Sequence, residues 1–197
     1  MKLLPFGPRA VLAEFDSLAD VVHAASAWRA AAQPGVVEVV PAARTVLIVH
    51  DATFDREWLR QPLLAQITPA VGELVTIDVD YDGEDLAAVA ETLSLSTDEV
   101  VRLHCGGDYT VAFCGFMPGF SYLTGVDPRL MLPRRTTPRT RVAAGSVAIA
   151  AEFTAVYPRE SPGGWHLLGR TDAAMWVDDR DSPALLPPGT RVRFRAR

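Results

Sequence analysis

The sequence contains a single lysine, Lys2, so arginine supplies almost all of its positive charge. A Walker A loop needs a lysine at the β and γ phosphates of a nucleotide, and no Gly-x-x-x-x-Gly-Lys segment occurs. Pyridoxal phosphate enzymes, Schiff-base aldolases and biotin carriers also need a lysine amine. The scarcity of lysine therefore excludes these chemistries from the fold of this chain.

Long apolar runs and metal-binding spacings are also missing. No stretch approaches the roughly 20 apolar residues that cross a bilayer, and the N-terminal segment carries a proline and Glu14 where a signal peptide would be apolar. We therefore expect a cytoplasmic protein with no membrane partner. The two cysteines, Cys105 and Cys114, are expected to be reduced thiols. The four histidines lack His-x-His or Glu-x-x-His spacing, so no metal site is predicted.

The charge balance is slightly acidic, with a formal net charge of −5 at pH 7. Nucleic-acid binding requires a surplus of cations on some face, so a general nucleic-acid partner is not expected. A hydrophobic content of 49% with 22% charged residues is typical of a globular protein. A chain of 197 residues fits one large domain or two small ones.

Apolar periodicity in the first 80 residues predicts a β-α-β-β-α-β order of elements. The successive elements are expected at residues 10–15, 18–28, 36–40, 46–50, 58–67 and 75–79. This order is typical of a ferredoxin-like α+β domain, which we assign to residues 1–80. The polar segment DYDGE, at 80–84, is expected to be a short linker.

Residues 81–197 are assigned to a second domain with a different pattern. A helical stretch at 85–93 is followed by a capping box, Ser96-x-x-Glu99, that predicts a helix running towards His104. Short strand-like runs separated by glycine and proline turns come next: TVAFCGF, GSVAIA, FTAVYP, WHLLGR, AMWV and TRVRFRAR. These runs favour a closed β-barrel or a sandwich.

Two segments of this half are candidates for ligand contact. The run FCGFMPGFSYL places Phe120 and Tyr122 among glycines, which suits either a ligand-lining loop or a hydrophobic loop packed over a barrel mouth. The run PRLMLPRRTTPRTR carries five arginines braced by prolines. Because a guanidinium matches a carboxylate or phosphate with two donors, Arg139 is the first choice for anion recognition; a solvated loop paired with carboxylates is the alternative.

Two further positions follow from turn residues and a helix end. Ser161, Gly163 and Gly164 form a turn that suits either an anion-binding nest or a tight turn around a buried tryptophan, and Arg170 follows the next glycine turn. His104 ends a predicted helix before two glycines, where an accessible imidazole is expected to carry protons or to act as a cationic C-cap.

Four segments, spread over nearly the whole chain, match one known family in order and spacing. They are GPRAVLAEF with PGVVEVVP, FCGFMPGFSYL, PRRTTPRTRVAAGSVAIA and VYPRESPGGWHLLGRT. On these motifs the chain resembles the family of the 5-oxoprolinase B subunit, also called KipI or allophanate hydrolase subunit 1. The sequence departs from the family pattern at turns: Ser121 stands where proline is common, and Ala151 stands where glycine is common.

The resemblance implies a ferredoxin-like N-terminal domain and a cyclophilin-like β-barrel, acting with the A subunit and with a homologous C subunit (KipA). In the family these subunits cleave 5-oxoproline to glutamate with ATP, related domains belong to the carboxyltransferase of urea carboxylase, and a bacillus relative inhibits a histidine kinase. We therefore expect one component of an ATP-dependent cyclic amide hydrolase, with ATP used at the level of the complex. A kinase inhibitor and a carboxyltransferase of urea-amide metabolism are the alternatives.

The resemblance and the turn residues together define an expected site. His104 is the expected proton carrier in the barrel cleft. The residues expected to bind substrate are Phe120, Tyr122, Arg139, Ser161, Gly163, Gly164 and Arg170.

Overall fold

The computed structural model describes residues 1–61 and 72–197, and the chain divides into two compact units, Met1–Ala70 and Val71–Arg197. The described part of the first unit contains five regular elements and one 3-10 helix. They are β1 (Lys2–Pro5), β2 (Ala10–Glu14), α1 (Leu18–Ala31), β3 (Val36–Pro41), β4 (Thr45–His50) and the 3-10 helix Arg56–Arg60.

The first unit is an antiparallel sheet of order β1-β2-β4-β3 with α1 packed against it. Helix α1 begins at the N-cap Ser17, whose hydroxyl accepts a hydrogen bond from the amide of Asp20 at 3.1 Å. Its buried face includes Val21 and Trp28, which lie in one core with Ile48. The helix and strands predicted for residues 10–50 are therefore confirmed.

The ferredoxin-like arrangement is not confirmed. The predicted helix at 58–67 coincides only with the 3-10 helix Arg56–Arg60, and residues 62–67 lie outside the described residues. Strand β1, which the periodicity did not predict, lies at the edge of the sheet next to β2.

The second unit contains two helices, nine strands and a 3-10 helix among its described residues. They are β5 (Leu74–Val79), α2 (Leu86–Leu93), α3 (Thr97–Cys105), β6 (Tyr109–Cys114), β7 (Ser121–Thr124), the 3-10 helix Pro128–Leu130, β8 (Arg139–Val142), β9 (Ser146–Ala150), β10 (Phe153–Val156), β11 (Ser161–Gly163), β12 (His166–Arg170) and β13 (Arg191–Ala196).

The placement of β5 in the first domain was wrong. This strand runs parallel to β13 over six residue pairs, from Leu74↔Arg191 to Val79↔Ala196. Its inward side chains Ile77 and Val79 are buried in the core of the second unit. A boundary after residue 80 would cut this strand away from its hydrogen-bonded neighbour, whereas the division at Ala70 keeps the pair together.

The sheet of the second unit is nearly closed. Its seven strands follow the order β12-β9-β10-β7-β6-β13-β5, and an antiparallel bridge between Asp80 and Arg170 joins the two edge strands. The amides of Gly83 and Asp85 extend this contact by donating to the carbonyls of Leu168 and Leu167, both at 3.1 Å. The segment 80–84 therefore closes the sheet and is not a linker.

Helices α2 and α3 pack into the core of this barrel-like sheet. The capping box predicted at the start of α3 is confirmed, because Ser96 accepts from the Glu99 amide while the Glu99 carboxylate accepts from the Ser96 amide. Strands β8 and β11 form a separate two-stranded sheet. The run AMWV contributes only an isolated bridge at Trp176, so its prediction as a strand was wrong.

Candidate functional site

Asp85, at the N-terminal end of α2, is a buried carboxylate that binds two arginines. Arg135 Nη1 and Arg139 Nη2 both donate to its Oδ1, at 2.6 and 2.7 Å, and the Leu167 amide donates to its Oδ2 at 2.8 Å. Burial raises the pKa of the Asp85 carboxyl, but the hydrogen bonds from Arg139 and Leu167 and the charges of both arginines outweigh it, so the pKa is lowered. Asp85 is therefore ionised at neutral pH.

Arg139, the first choice for anion recognition, is largely engaged within the chain. Besides its bond to Asp85, its Nε donates to Glu84 at 3.2 Å, and the Glu84 side chain is 76% exposed. The bond to Asp85 raises the pKa of Arg139, so it stays charged. Most of its contacts therefore fit the alternative, in which the arginine pairs with carboxylates of the same chain.

Three buried side-chain donors have no hydrogen-bond partner within the described residues. They are Arg135 Nε, Arg139 Nη1 and Ser161 Oγ. Buried polar groups are normally paired, and an orphaned group is often explained by a water, an ion or a catalytic role. Two of these unpaired donors belong to the predicted residues Arg139 and Ser161. The third belongs to Arg135, which the sequence analysis did not select as a site residue.

Strand pairing places the predicted turn beside Arg139. In the β8/β11 sheet, Gly163 lies opposite Arg139 and Ser161 lies opposite Val142. A Cβ at Gly163 would collide with the Tyr157 hydroxyl, so only glycine fits without displacement. Backbone pairing therefore places Gly163 beside Arg139 and puts Ser161 in the same two-stranded sheet.

Gly164 joins this arrangement through its backbone, because its carbonyl accepts a hydrogen bond from the Arg135 amide at 2.8 Å. An added Cβ there would have its nearest neighbour at 3.7 Å, in ordinary contact with Pro138. Gly164 therefore anchors the arginine-bearing loop through its carbonyl, and crowding does not require a glycine at this position.

An aromatic cluster, defined as Phe120, Tyr122, Tyr157 and Trp165, lies next to this turn. The Phe120 ring is 5.0 Å from Tyr122, 5.3 Å from Tyr157 and 5.6 Å from Trp165, measured between centroids. Phe120 is buried, whereas Tyr122 is partly exposed and burial raises the pKa of its phenol. The burial of Phe120 follows from its packing within the cluster. Of the two predicted residues, only Tyr122 has access to solvent.

A cation lies over one wall of the aromatic cluster. The Arg134 guanidinium carbon is 5.9 Å from the Trp165 ring centroid, within the range of a cation–π contact. Arg134, Arg135 and Arg139 therefore bring three guanidinium groups to the turn, of which two are bonded to Asp85.

His104 does not have the exposed position that the sequence predicted. The residue is fully buried, Tyr81 Oη lies 2.7 Å from its Nδ1, and Thr154 Oγ1 lies 2.9 Å from its Nε2. Burial lowers the pKa of its imidazole to about 3. The expectation of an accessible, cationic ring was wrong. Helix α3 packs His104 into the core, where burial disfavours the charged ring more than the field at the helix C-terminus favours it.

The network around His104 defines which nitrogen carries the proton. Thr154 Oγ1 donates to the Ala148 carbonyl at 3.1 Å, so it is left to accept from His104 Nε2–H. Nδ1 then accepts from the Tyr81 hydroxyl, which itself accepts from the Cys105 thiol at 3.3 Å. When the imidazole is neutral, every donor in this network has an acceptor.

Arg170 is not among the residues that meet at the turn. It ends β12 and pairs with Asp82 at 3.0 Å, with both side chains largely exposed. It lies four residues along the strand from His166, roughly 13 Å by strand rise. The structure therefore assigns it to the closure of the sheet.

A groove of about 600 Å³ lies between α3 and β13. Arg102, Cys105, Arg193 and Arg195 are among its lining residues, and none of the predicted site residues lines it. Arg193 and Arg195 pair with Asp108 and Asp78. Among the described residues, no cluster of three or more His, Cys, Asp or Glu could hold a metal, and no helix is long and apolar enough to span a bilayer.

The nearly closed sheet, with its arginine-bearing turn, belongs to a known class of domain. Residues 1–186 match the family model described as "Carboxyltransferase domain, subdomain C and D", and the chain belongs to this family. The Kluyveromyces lactis urea carboxylase has the same fold, with a TM-score of 0.73 at 20% identity over 100% of this chain and 23% of that one.

Within this class, the similar curated proteins carry one name. The chain is 35% identical to the 5-oxoprolinase B subunit of Escherichia coli O157:H7, over 95% of this chain and 92% of that protein. It is 36% identical to the 5-oxoprolinase B subunit of Bacillus subtilis (strain 168), over 88% and 81%. The family resemblance inferred from the four sequence segments is confirmed.

A longer solved protein contains a counterpart of this chain. The crystal structure of TTHA0988 matches with a TM-score of 0.82 and 40% identity, over 96% of this chain. The chain spans 40% of the length of that protein.

Proposed function

We propose that this chain is the B subunit of an ATP-dependent 5-oxoprolinase that acts with the A and C subunits. The observation that carries the proposal is the identity of 35% and 36% to two proteins of that name over most of both chains. Because the relatives are named as one subunit of an enzyme, their name implies further subunits. We place ATP at the level of the complex, because the chain's one lysine, Lys2, is not part of a P-loop.

The turn beside Arg139 is the proposed substrate site of this chain. 5-Oxoproline combines a compact ring with one carboxylate and one lactam carbonyl. Tyr122, which is partly exposed, offers an aromatic face to such a ring, while Arg139 and Ser161 offer donors to its oxygens. Their contribution is to bind and orient the lactam so that its carbonyl is presented to the rest of the complex.

The proposed site omits three residues expected from the sequence, of which Phe120 is buried by packing within the aromatic cluster. His104 has no solvent access and holds its proton within the core, so it is not assigned a proton transfer to substrate. Arg170 is paired away from the turn. Gly163 and Gly164 remain in the site as the backbone that supports Arg139 and Arg135.

A more specific fold can be proposed for each unit than the strand order alone gives. We propose that the second unit is cyclophilin-like and that the first unit is a variant of the ferredoxin-like fold. In the first unit, β1 occupies the sheet edge beside β2, where the predicted last strand would lie.

Reconstitution tests the proposed function directly. The chain is co-expressed with candidate A and C subunits, and ATP-dependent release of glutamate from 5-oxoproline is followed. We expect activity from the three-component complex and none when this chain is omitted. Full activity without this chain would contradict the proposal.

A carboxyltransferase component of urea-amide metabolism is the second candidate, and the family model's own description favours it. Such an enzyme needs a biotinylated partner, because Lys2 is the only lysine here. Avidin blotting of the co-purified complex distinguishes the two candidates. A histidine-kinase inhibitor, the third possibility from the family resemblance, is tested by adding the chain to an autophosphorylation assay.

A further inference from the structure

The three orphaned donors share a chemical character that limits what can satisfy them. Arg135 Nε and Arg139 Nη1 are N–H donors with no lone pair, and Ser161 Oγ can donate its proton. A ligand that satisfies all three must therefore present oxygen acceptors. Leaving buried donors without an acceptor is costly, so a native protein that keeps three of them in one region has a reason for doing so.

The acceptor that these donors need is not supplied by Asp85. Its Oδ1 already accepts from both arginines, and its Oδ2 accepts from the Leu167 amide. Glu84 also pairs with Arg139, through a largely exposed carboxylate. Because Arg134 adds a third guanidinium, three positive charges meet the two carboxylates of Asp85 and Glu84, which leaves an excess of one positive charge at the turn.

The turn that carries these donors lies next to the aromatic cluster. Gly163, opposite Arg139, lies under the Tyr157 hydroxyl, and the aromatic cluster begins at Tyr157 and Trp165. The side chains of Arg135 and Arg139 keep 33% and 17% exposure, so both arginines lie near the surface although the orphaned donors are buried. A carboxylate fits the donors, and Tyr122 is the partly exposed member of the aromatic cluster.

We propose that Arg135, Arg139 and Ser161 form a subsite for the carboxylate of a small monoanion. The assignment of that anion to 5-oxoproline rests on the proposed function, but the recognition of a carboxylate does not. The subsite adds Arg135 to the residues expected from the sequence. It also gives a reason why Ser161, which is 9% exposed, has no hydrogen-bond partner among the residues that the structure describes.

Ser161→Ala separates a binding role from a structural one. Since the hydroxyl makes no hydrogen bond to any described residue, its removal is expected to leave the melting temperature unchanged and to weaken carboxylate binding roughly tenfold or more. Ser121→Ala is the matched control, because Ser121 is also buried but donates to the Leu186 carbonyl at 2.7 Å. That variant is expected to lower the melting temperature and to keep the affinity.

Three probes distinguish recognition of the carboxylate from recognition of the lactam. Each is titrated calorimetrically into the full chain and into its complex with the A and C subunits. They are 5-oxoproline, cyclopentanecarboxylate, which lacks the lactam, and 2-pyrrolidinone, which lacks the carboxylate. We expect both carboxylates to bind and 2-pyrrolidinone to bind at least about tenfold more weakly. Equal binding of 2-pyrrolidinone and 5-oxoproline, or no binding of either carboxylate, would overturn the subsite.

The outcomes distinguish the subsite from the proposed function. Binding of cyclopentanecarboxylate that depends on Ser161, in a complex that does not cleave 5-oxoproline, would keep the subsite and contradict the function. Cleavage of 5-oxoproline with unchanged KM in Ser161→Ala would keep the function and overturn the subsite. A fall in melting temperature for Ser161→Ala, with unchanged affinity, would show a structural hydroxyl and overturn it as well.

Discussion

The buried imidazole of His104 makes the stability of the second unit depend on pH in a predictable direction. Burial lowers the pKa of His104 to about 3 in the folded chain, against about 6.5 when it is exposed. As the pH falls, the unfolded chain therefore binds this proton first. The stabilisation is complete above about pH 6.5 and is lost progressively as the pH falls towards the folded-state value.

The size of the effect follows from linkage. Between pH 6.0 and 4.5, one proton taken up only by the unfolded chain lowers the free energy of unfolding by roughly 2 kcal/mol. Carboxylates whose pKa is lowered in the fold, such as Asp85 and Asp127, lose their contribution only at lower pH. The interval from pH 6.0 to 4.5 therefore reports mainly on the imidazole.

The assay compares wild type with His104→Gln by urea denaturation at four pH values in this interval. Amide resonances of α3 serve as the probe, because the chain contains two compact units that need not unfold together. We expect the variant to be less stable at pH 6.0, since it changes a buried side chain that contacts Tyr81 and Thr154, and the difference to shrink by roughly 2 kcal/mol by pH 4.5. Parallel pH dependences, or an imidazole that titrates near pH 6.5 in the folded chain, would refute the reasoning.

Three further substitutions, two of them with a matched control, test backbone strain at Ala151 and the geometry of the site. Ala151→Gly is expected to raise the free energy of unfolding by about 1 kcal/mol, because Ala151 adopts a φ of 51° that suits glycine, whereas Ala148→Gly in β9 should lower it by about as much. Asp85→Asn should lower it by roughly 3–5 kcal/mol, because two guanidinium groups lose their buried counter-ion. Gly163→Ala should lower both the melting temperature and the carboxylate affinity, because its methyl meets Tyr157, while Gly164→Ala, with room for a methyl, should leave the melting temperature unchanged. Retained stability in Asp85→Asn, or an unchanged Gly163→Ala, would contradict the geometry.

Local sequence signals predicted much of the fold. The capping box at Ser96 and Glu99, the helical spacing of 18–28 and the alternation at 46–50 each depend on neighbours a few residues apart, and each appears in the structure. Strand β5 shows where such signals end. Its alternation identified a strand, but its partner β13 lies at the other end of the chain, and no local pattern specifies that pairing.

The site divides in the same way. The sequence alone determined the chemistry available to this protein: a single lysine outside any P-loop motif, a run of proline-braced arginines, and a Ser-Pro-Gly-Gly turn among aromatic residues. Only the tertiary structure decided which of these groups have partners. Asp85 meets Arg135 and Arg139 across 50 and 54 residues of chain, and His104 meets Thr154 across 50, so burial and pairing were set by packing between distant segments. Because a group's charge and availability depend on the acceptors packed around it, this packing made His104 a neutral core residue and left Ser161 with an unused donor.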